Sequence, residues 1–239
     1  IEDEMNKLGP VEFEHIFLRE QNLELCKGCF NCVIRGREFR PLKDDLPTIE
    51  SKIDQADGLI LVSPCYVSNV SWLMKNFMDR MCYTNHRHRF FHQKMLLVSN
   101  AGAGMEKTIE ALRLAVGAGP EIVGELSYLS PPWQLAEKVQ RKQQKRLAKN
   151  AEHLYRAIER DAPRGGLPKR PSFSDYVRFR FFQKISEDVR NYLKADYQFY
   201  KDMKSYYYPT KINPCQRIAA SLMLKTSMFF MRDMAPSEP

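Results

Sequence analysis

Three cysteines near the N-terminus are spaced like the protein ligands of metal clusters. Cys26, Cys29 and Cys32 follow one another closely, with Gly28 inside the first interval. Closely spaced thiolates can converge on one small inorganic core, which is how proteins hold iron–sulfur clusters. A cubane cluster needs four cysteine ligands and structural zinc needs a fourth ligand, but the next cysteine is Cys65. The spacing therefore predicts a tight loop, with a redox-sensitive thiol as one use for it.

Two further loops have residue types suited to binding the edge of a flat ring. In residues 63–71 (SPCYVSNVS) a proline fixes the chain direction, backbone N–H groups can donate, and a tyrosine offers a flat face with a polar tip. In residues 99–104 (SNAGAG) small residues let the backbone approach a ligand closely. Either loop is also compatible with a strand-to-helix turn that binds nothing. The candidate contacts are Ser63, Pro64, Cys65, Tyr66, Val67, Ser68, Asn100, Gly102 and Ala103.

A histidine-rich segment is the remaining candidate for chemistry. His86, His88 and His92 have a spacing that metal ligands also show. Arg87 and Arg89 alternate with them and would repel a cation. The segment therefore predicts a polar surface or interface, and no metal site.

The elements around these loops alternate between strand and helix patterns. Residues 58–63 (GLILVS) and 95–99 (MLLVS) are short apolar runs, typical of strands buried on both faces. Residues 121–129 form another strand candidate, and residues 11–18 (VEFEHIFL) alternate as a half-buried strand near a sheet edge would. This order predicts a doubly wound parallel sheet, in which both ligand-type loops follow central strands and share one crevice.

Helical patterns connect and follow the strands. The last of them, residues 210–234, is strongly apolar, and residues 161–166 have the composition of a linker. We therefore expect an α/β domain over residues 1–160 and a helical C-terminal extension over residues 167–239. The predicted helical segments are residues 1–8, 46–55, 71–82, 105–116, 133–160, 173–207 and 210–234.

The net charge of +8 is unevenly distributed over the 239 residues. Residues 1–131 hold 15 Lys and Arg against 18 Asp and Glu, whereas residues 132–239 hold 22 against 11. A basic C-terminal part is compatible with nucleic acid, anionic lipid or a phosphorylated cofactor. A solvated, helix-rich surface explains the charge without any of these, and we expect no nucleic-acid partner.

The composition and the hydrophobic pattern argue against a disulfide-stabilised protein and against a membrane-spanning one. Six cysteines in a chain of this length do not make a disulfide scaffold. No segment approaches the roughly 18–20 consecutive apolar residues that would span a bilayer. The N-terminus lacks the charged-then-apolar pattern of a signal peptide, so we expect a cytoplasmic protein. Since the chain opens at Ile1 inside a helical pattern, we also expect that an upstream segment is missing.

The Ser63–Ser71 loop and the helix after it resemble the NAD(P)H-dependent FMN reductase family. These are flavodoxin-like flavoproteins that include the iron–sulfur flavoproteins. The S-P-x-Y turn precedes a helix that, apart from its internal spacing, fits the family's L-x-K-x-F-x-D-R pattern. The cysteine segment, followed by KDDL at residues 43–46, resembles the family's C-x-G-C-x-x-C and D-D segment. The helix residues that fit are Leu73, Lys75, Phe77, Asp79 and Arg80.

The resemblance, which covers about residues 1–160, implies a function. It implies FMN held by the nine loop residues, beside the cysteine loop, and reduced by NADH or NADPH. The acceptor would be a quinone, a free flavin, a metal complex or a small electrophile. The flavin itself receives the hydride, so we nominate no catalytic side chain. The family's first strand and phosphate-binding loop have no counterpart in the chain.

Two other functions remain open from the sequence. One is an iron–sulfur flavoprotein electron carrier that uses Cys26, Cys29 and Cys32. The other is a binding or regulatory protein that keeps the flavodoxin-like fold without the cofactor.

The C-terminal helix predicts an interaction. Ile218, Leu222, Lys225 and Phe229 follow helical spacing on one face, and a second face is apolar as well. We expect this helix to dock, and favour docking within a homodimer because related reductases commonly pair. The alternative is peripheral contact with a membrane surface, with Arg217, Lys225 and Arg232 near lipid phosphates.

Overall fold

The structure is a computed structural model that describes residues 1–231. Residues 232–239, which include Arg232 of the predicted lipid-facing set, lie outside the described residues. The chain forms two compact units. One consists of Ile1–Lys27 with Leu42–Leu167, and the other consists of Gly28–Pro41 with the residues from Pro168 onward. The segment that contains Cys29 and Cys32 therefore groups with the C-terminal helices.

A parallel sheet forms the centre of the first unit. Its strands are β1 (Gly58–Pro64), β2 (Lys94–Ala101) and β3 (Glu121–Leu129), in that spatial order. The register places Pro64 beside Asn100 and Asn100 beside Tyr128, so the three strands end at one edge. The structure confirms the three strands predicted at residues 58–63, 95–99 and 121–129. The predicted flavodoxin-like α/β class, with a helical C-terminal region, is also confirmed.

Helices flank the sheet and make up most of the second unit. The helices predicted at residues 46–55, 71–82 and 105–116 are present as α3, α4 and α5, the last two with shorter ends. The segment predicted at residues 173–207 contains two helices instead of one. In chain order the α-helices are α1 (Glu2–Asn6), α2 (Asn31–Ile34), α3 (Leu46–Gln55), α4 (Trp72–Arg80), α5 (Glu106–Leu112), α6 (Glu137–Asp161), α7 (Phe173–Asp188), α8 (Lys194–Tyr200) and α9 (Pro214–Met231).

The core of the first unit lies on both faces of the sheet. On one face α1 and α6 pack over β2 and β3, where Met5, Leu96 and Leu154 are buried together. Because strand side chains alternate, Met95 and Leu97 point to the other face, where α5 packs. The continuous apolar run in β2 is therefore explained by burial on both sides.

The predicted strand over residues 11–18 is wrong. This segment has no strand structure and ends in a short 3-10 turn, Leu18–Glu20. Its alternation does correspond to a half-buried face, because Val11 and Phe13 pack against the core cluster around Leu96. A strand also needs a neighbour for its backbone hydrogen bonds, and in residues 1–231 this segment pairs with no strand.

A buried ion pair connects three parts of the first unit. Arg80, at the end of α4, donates to the two carboxylate oxygens of Asp44 at 2.5 and 3.0 Å and to the carbonyl of Glu24 at 2.6 Å. The Asp44 carboxylate also accepts from the backbone N–H groups of Glu24 and Leu46. Burial pushes the pKa of Asp44 up, but these hydrogen bonds outweigh burial and hold the pKa below its ordinary value.

A second buried ionic cluster lies at the end of the sheet where the strands begin, opposite the end at which the loops follow them. Lys94 is fully buried, and its ammonium lies 2.6 Å from Asp161 and 3.0 Å from Glu121. Burial again pushes the pKa of Asp161 up, but hydrogen bonds from Arg160 and Lys94 outweigh it and hold the pKa far below its ordinary value. This cluster fixes the C-terminal end of α6 beneath the first residue of β2.

The second unit has an aromatic core of its own. Phe179 on α7 is fully buried, and its ring contacts the rings of Tyr176, Tyr200 and Tyr207. The hydroxyls of Tyr200 and Tyr207 lie 2.9 Å apart, and burial raises the pKa of Tyr207. In this unit α9 packs against α7. Among residues 1–231 no helix is both long enough and apolar enough to cross a bilayer.

Asp44→Asn tests the ion pair, because it leaves Arg80 buried without its counter-charge. We expect it to lower the free energy of unfolding at neutral pH by about 3–5 kcal/mol, measured by urea denaturation. Asp79→Asn is the matched control, since Asp79 forms an exposed ion pair with Lys75 and its loss should change stability by about 1 kcal/mol or less. Equally small effects from the two variants would contradict the assigned role.

The same pair predicts a pH dependence. The folded pKa of Asp44 lies below the unfolded value, so its stabilisation is present above about pH 4 and is lost as the pH falls through the lowered pKa. We therefore expect the stability of Asp44→Asn to fall less steeply than that of the original protein below about pH 4. Parallel acid-denaturation curves would show that Asp44 does not contribute.

Candidate functional site

The two predicted loops lie together at the end of the sheet where the parallel strands terminate. The N–H of Cys65 donates to the carbonyl of Asn100 at 3.0 Å, and the Cys65 thiol lies 3.3 Å from the carbonyl of Gly104. Gly104 has a φ of +73°, and a Cβ there would lie 3.6 Å from the Ser68 hydroxyl. The loops after β1 and β2 therefore contact each other along most of their length, as the sequence predicts from their positions after central strands.

A third loop joins them from β3. The side-chain amide of Asn100 donates to the hydroxyl of Ser130 at 3.1 Å, and the N–H of Ser130 donates to the carbonyl of Ala101 at 2.9 Å. At the end of β3, the buried side chain of Gln143 accepts from the N–H of Leu129 and donates to its carbonyl. Because of these bonds, all three loops are fixed to the ends of their strands.

The first loop contains a tight two-residue turn. Tyr66 and Asn69 exchange two backbone hydrogen bonds of 3.0 Å, and Val67 and Ser68 between them have φ values of 51° and 56°. Two positive φ values are the signature of the type I′ turn, which normally takes Asn and Gly. A β-branched valine in this conformation is strained by about 1–3 kcal/mol, and the exposed Val67 side chain gains no packing in return. Such uncompensated strain is typical of ligand-binding loops.

Both loops present backbone donors. Within the described residues 1–231, no acceptor takes the N–H groups of Val67, Ser68, Gly102 or Ala103. A Cβ built at Gly102 would have open space around it. Tyr66, which directly precedes Val67, is 63% exposed. Exposed N–H donors next to an aromatic face can bind the polar edge of a planar heterocycle.

Ser63 differs from the other predicted contacts. Its side chain is fully buried, and its hydroxyl accepts from the N–H of Ser71 at 2.9 Å and donates to the carbonyl of Pro64 at 3.0 Å. Ser71 in turn caps α4 by accepting from the N–H of Met74. Ser63 therefore shapes the loop and joins it to α4, whereas Tyr66, Val67, Ser68, Asn100, Gly102 and Ala103 are exposed and Pro64 and Cys65 are partly exposed.

The three clustered cysteines do not fit a cluster site in this arrangement. The exposed Cys26 is held by its N–H, which donates to the side-chain oxygen of Asn76 at 2.9 Å. Among the residues described, no three or more His, Cys, Asp or Glu side chains are grouped so that they can hold a metal ion. The donor set that an iron–sulfur cluster needs is therefore not assembled.

The histidine segment is less exposed than the sequence predicts. Arg87 and His88 are buried instead of lying on a polar surface. The Arg87 guanidinium lies 5.6 Å from the centre of the Tyr83 ring, and Nδ1 of His88 lies 2.8 Å from the carbonyl of Thr84. These local partners offset part of the loss of water around both side chains.

A groove beside the end of β3 is a feature that the sequence did not reveal. It encloses about 490 Å³ and is lined by Tyr128, Ser130, Trp133 and Arg141, among others. The Trp133 ring is 69% exposed there. Residues 130–136 have no periodic pattern, and α6 begins at Glu137 instead of the predicted residue 133, so sequence periodicity gave no signal for this groove. The hydrogen bond between Asn100 and Ser130 connects it to the predicted loops.

Comparison with known proteins gives one family match and several relatives. The family described as NADPH-dependent FMN reductase matches residues 1–125. An iron–sulfur flavoprotein of Methanocaldococcus jannaschii is 41% identical over 70 residues, covering 29% of this chain and 35% of the relative. An iron–sulfur flavoprotein of Clostridioides difficile is 30% identical over 146 residues, covering 59% of this chain and 64% of the relative.

These matches are partial. The chain spans between 34% and 64% of the length of the curated relatives that it matches. A solved structure of RosB with a bound formylriboflavin phosphate intermediate aligns with 89% of this chain at 12% identity, with a TM-score of 0.42. That likeness is too low to inform the fold, the site or the ligand.

The strained turn generates a stability prediction. Replacing Val67 by Asn and Ser68 by Gly supplies residues that adopt positive φ readily, so we expect the free energy of unfolding to rise by about 1–2 kcal/mol. Val67→Thr is the matched control, because it stays β-branched and should change stability by about 0.5 kcal/mol or less. Urea denaturation measures each. An Asn-Gly variant that is no more stable than the original protein would show that the turn is not strained.

Proposed function

Because this chain belongs to the NADPH-dependent FMN reductase family, we propose that it binds FMN at the loops after β1 and β2 and transfers electrons from NADH or NADPH to a small acceptor. The observation that carries the proposal is the joined pair of loops, which presents the exposed Tyr66 and backbone N–H groups that have no acceptor within residues 1–231. A quinone, a free flavin or a metal complex fits the acceptor role.

The residues present suit an isoalloxazine ring. The ring's pyrimidine edge has carbonyl and nitrogen acceptors, which match the unpaired N–H groups of Val67, Ser68, Gly102 and Ala103. Gly102 lets the backbone come close because no side chain intervenes. Tyr66 offers an aromatic face for contact with the ring.

The chemistry in this proposal belongs to the cofactor. FMN supplies hydride and electron transfer when bound, so no side-chain acid or nucleophile is required. The protein's part is to position the ring and to leave a route for donor and acceptor. The hydrogen bonds from Cys65 to Asn100 and from Asn100 to Ser130 hold the positioning loops in place.

An iron–sulfur flavoprotein is the alternative that the named relatives raise. Cys26, Cys29 and Cys32 supply three thiols, one fewer than a cubane cluster needs, and among residues 1–231 no three such side chains are grouped so that they can hold a metal ion. We therefore propose electron transfer through the flavin without a cluster.

The proposed function is tested by combining a binding and a turnover measurement. We expect the protein to quench FMN fluorescence on binding, and the FMN-loaded protein to oxidise NADH or NADPH in the presence of a quinone. Loss of NAD(P)H absorbance should require added FMN. Tight FMN binding without oxidation of either nucleotide would contradict the enzyme proposal, and absence of FMN binding would favour a non-enzymatic binding protein.

Tyr66→Ala tests the placement of the ring. Loss of an aromatic and a polar contact should weaken FMN binding by about 1–2 kcal/mol, which corresponds to about 5- to 30-fold in Kd. Tyr192→Ala is the matched control, because Tyr192 is similarly exposed but lies in the other unit. Unchanged FMN affinity in a folded Tyr66→Ala protein would remove this loop from the site.

Iron analysis tests the alternative. After anaerobic purification we expect no stoichiometric iron, because only three clustered cysteines are present and they do not converge. About four iron and four sulfide per chain would contradict this expectation. In that case, replacing Cys26, Cys29 and Cys32 by serine would show whether these thiols hold the cluster.

A further inference from the structure

Helix α9 has one packed face and one open apolar face. It packs against α7, where Ala220 is buried and Leu224 and Met228 are half-buried. On the outward side Ile218, Leu222 and Phe229 are 64%, 61% and 60% exposed. Met223 and Phe230, on the adjoining outward positions, are 49% and 76% exposed. Five large apolar side chains exposed on one helix mark an interaction site.

The charges on α9 and on the segment directly before it all have one sign. Residues 203–231 contain four cations, Lys204, Lys211, Arg217 and Lys225, and no Asp or Glu. Arg217 and Lys225 are exposed on α9 itself. At 3.6 residues per turn, Lys225 lies on the same side as Ile218 and Phe229, whereas Arg217 projects on the same side as the packed residues Leu224 and Met228. The open face is therefore apolar along its centre, with Lys225 on one flank.

This charge pattern indicates which kind of partner the open face binds. Pairing two copies of the face would bury Lys225 of each copy against apolar side chains, with no carboxylate on the helix to compensate. Burying an unpaired charge in an interface disfavours association. An anionic phospholipid surface accepts both features, because apolar side chains enter the boundary between headgroups and acyl chains while cations lie near phosphates.

We propose that the outward face of α9 docks on an anionic phospholipid membrane. Ile218, Leu222, Phe229 and Phe230 would enter the lipid boundary, and Lys225 would lie near the phosphates. The helix lies on the surface and does not cross it, since Pro214–Met231 is not long and apolar enough to span a bilayer. This inference does not depend on the proposed flavin chemistry.

Flotation of the full chain with vesicles tests the proposal. We expect the protein to float with vesicles of phosphatidylcholine and phosphatidylserine, to remain behind with phosphatidylcholine alone, and to bind less at high salt. Phe229→Ser with Phe230→Ser should lower binding by about tenfold or more. Tyr192→Ser removes an exposed ring elsewhere in the same unit and should have no effect.

If the double serine variant does not fold, variants that remove a charge test the membrane proposal instead. Lys225→Gln keeps a good helix former and should lower vesicle binding by about fivefold, whereas Arg217→Gln removes a cation from the packed side of the helix and should have a smaller effect. Light scattering on the same samples tests the other occupant. A dimer that becomes monomeric in the Phe229 and Phe230 variant, without vesicle binding, would overturn the proposal in favour of a second copy of the chain. A folded monomer that binds no vesicles would also overturn it.

Discussion

The candidate site depends on the parallel register of β1 and β2. Because Pro64 lies beside Asn100, the chain leaves both strands at the same level of the sheet. The N–H of Cys65 then reaches the carbonyl of Asn100, and the two loops continue in contact as far as Ser68 and Gly104. A change of register by one residue would separate the exposed ring of Tyr66 from the backbone donors of the second loop.

The interactions behind the loops explain how a strained turn is held in place. Ser63 is buried beneath the first loop and connects it to Ser71, which caps α4. At its other end α4 supplies Arg80, which is fixed by Asp44 and by the carbonyl of Glu24. The loop, the helix and the segment before the cysteines therefore form one hydrogen-bonded series. Positive φ at Val67 persists because residues on both sides of the turn are fixed independently.

The sequence predicts the parts of this structure that burial determines. The apolar run in β2 identifies a central strand buried on both faces, and the position of the loops after β1 and β2 identifies the end of the sheet where the candidate site lies. The strand β1, predicted to be buried on both faces as well, is the outer strand of the described sheet and exposes Val62. Interactions between distant residues were not predictable. Residues 11–18 show the right alternation but pair with no strand within residues 1–231. His88 is buried by the tertiary fold, although the carbonyl that contacts its Nδ1, that of Thr84, is only four residues away. The groove at Trp133 lies in a stretch without periodicity, where the sequence contains no structural signal.

Amide hydrogen exchange with and without FMN tests the central claim most directly, because it reports on individual backbone N–H groups. If FMN binds at the joined loops, exchange should slow at Val67, Ser68, Gly102 and Ala103, whose N–H groups have no acceptor in the described part of the chain. Peptides from α9 should be unaffected and serve as the internal reference. Saturating FMN that leaves residues 66–69 and 100–104 unprotected, or that protects only residues 128–141 along the groove, would contradict the account.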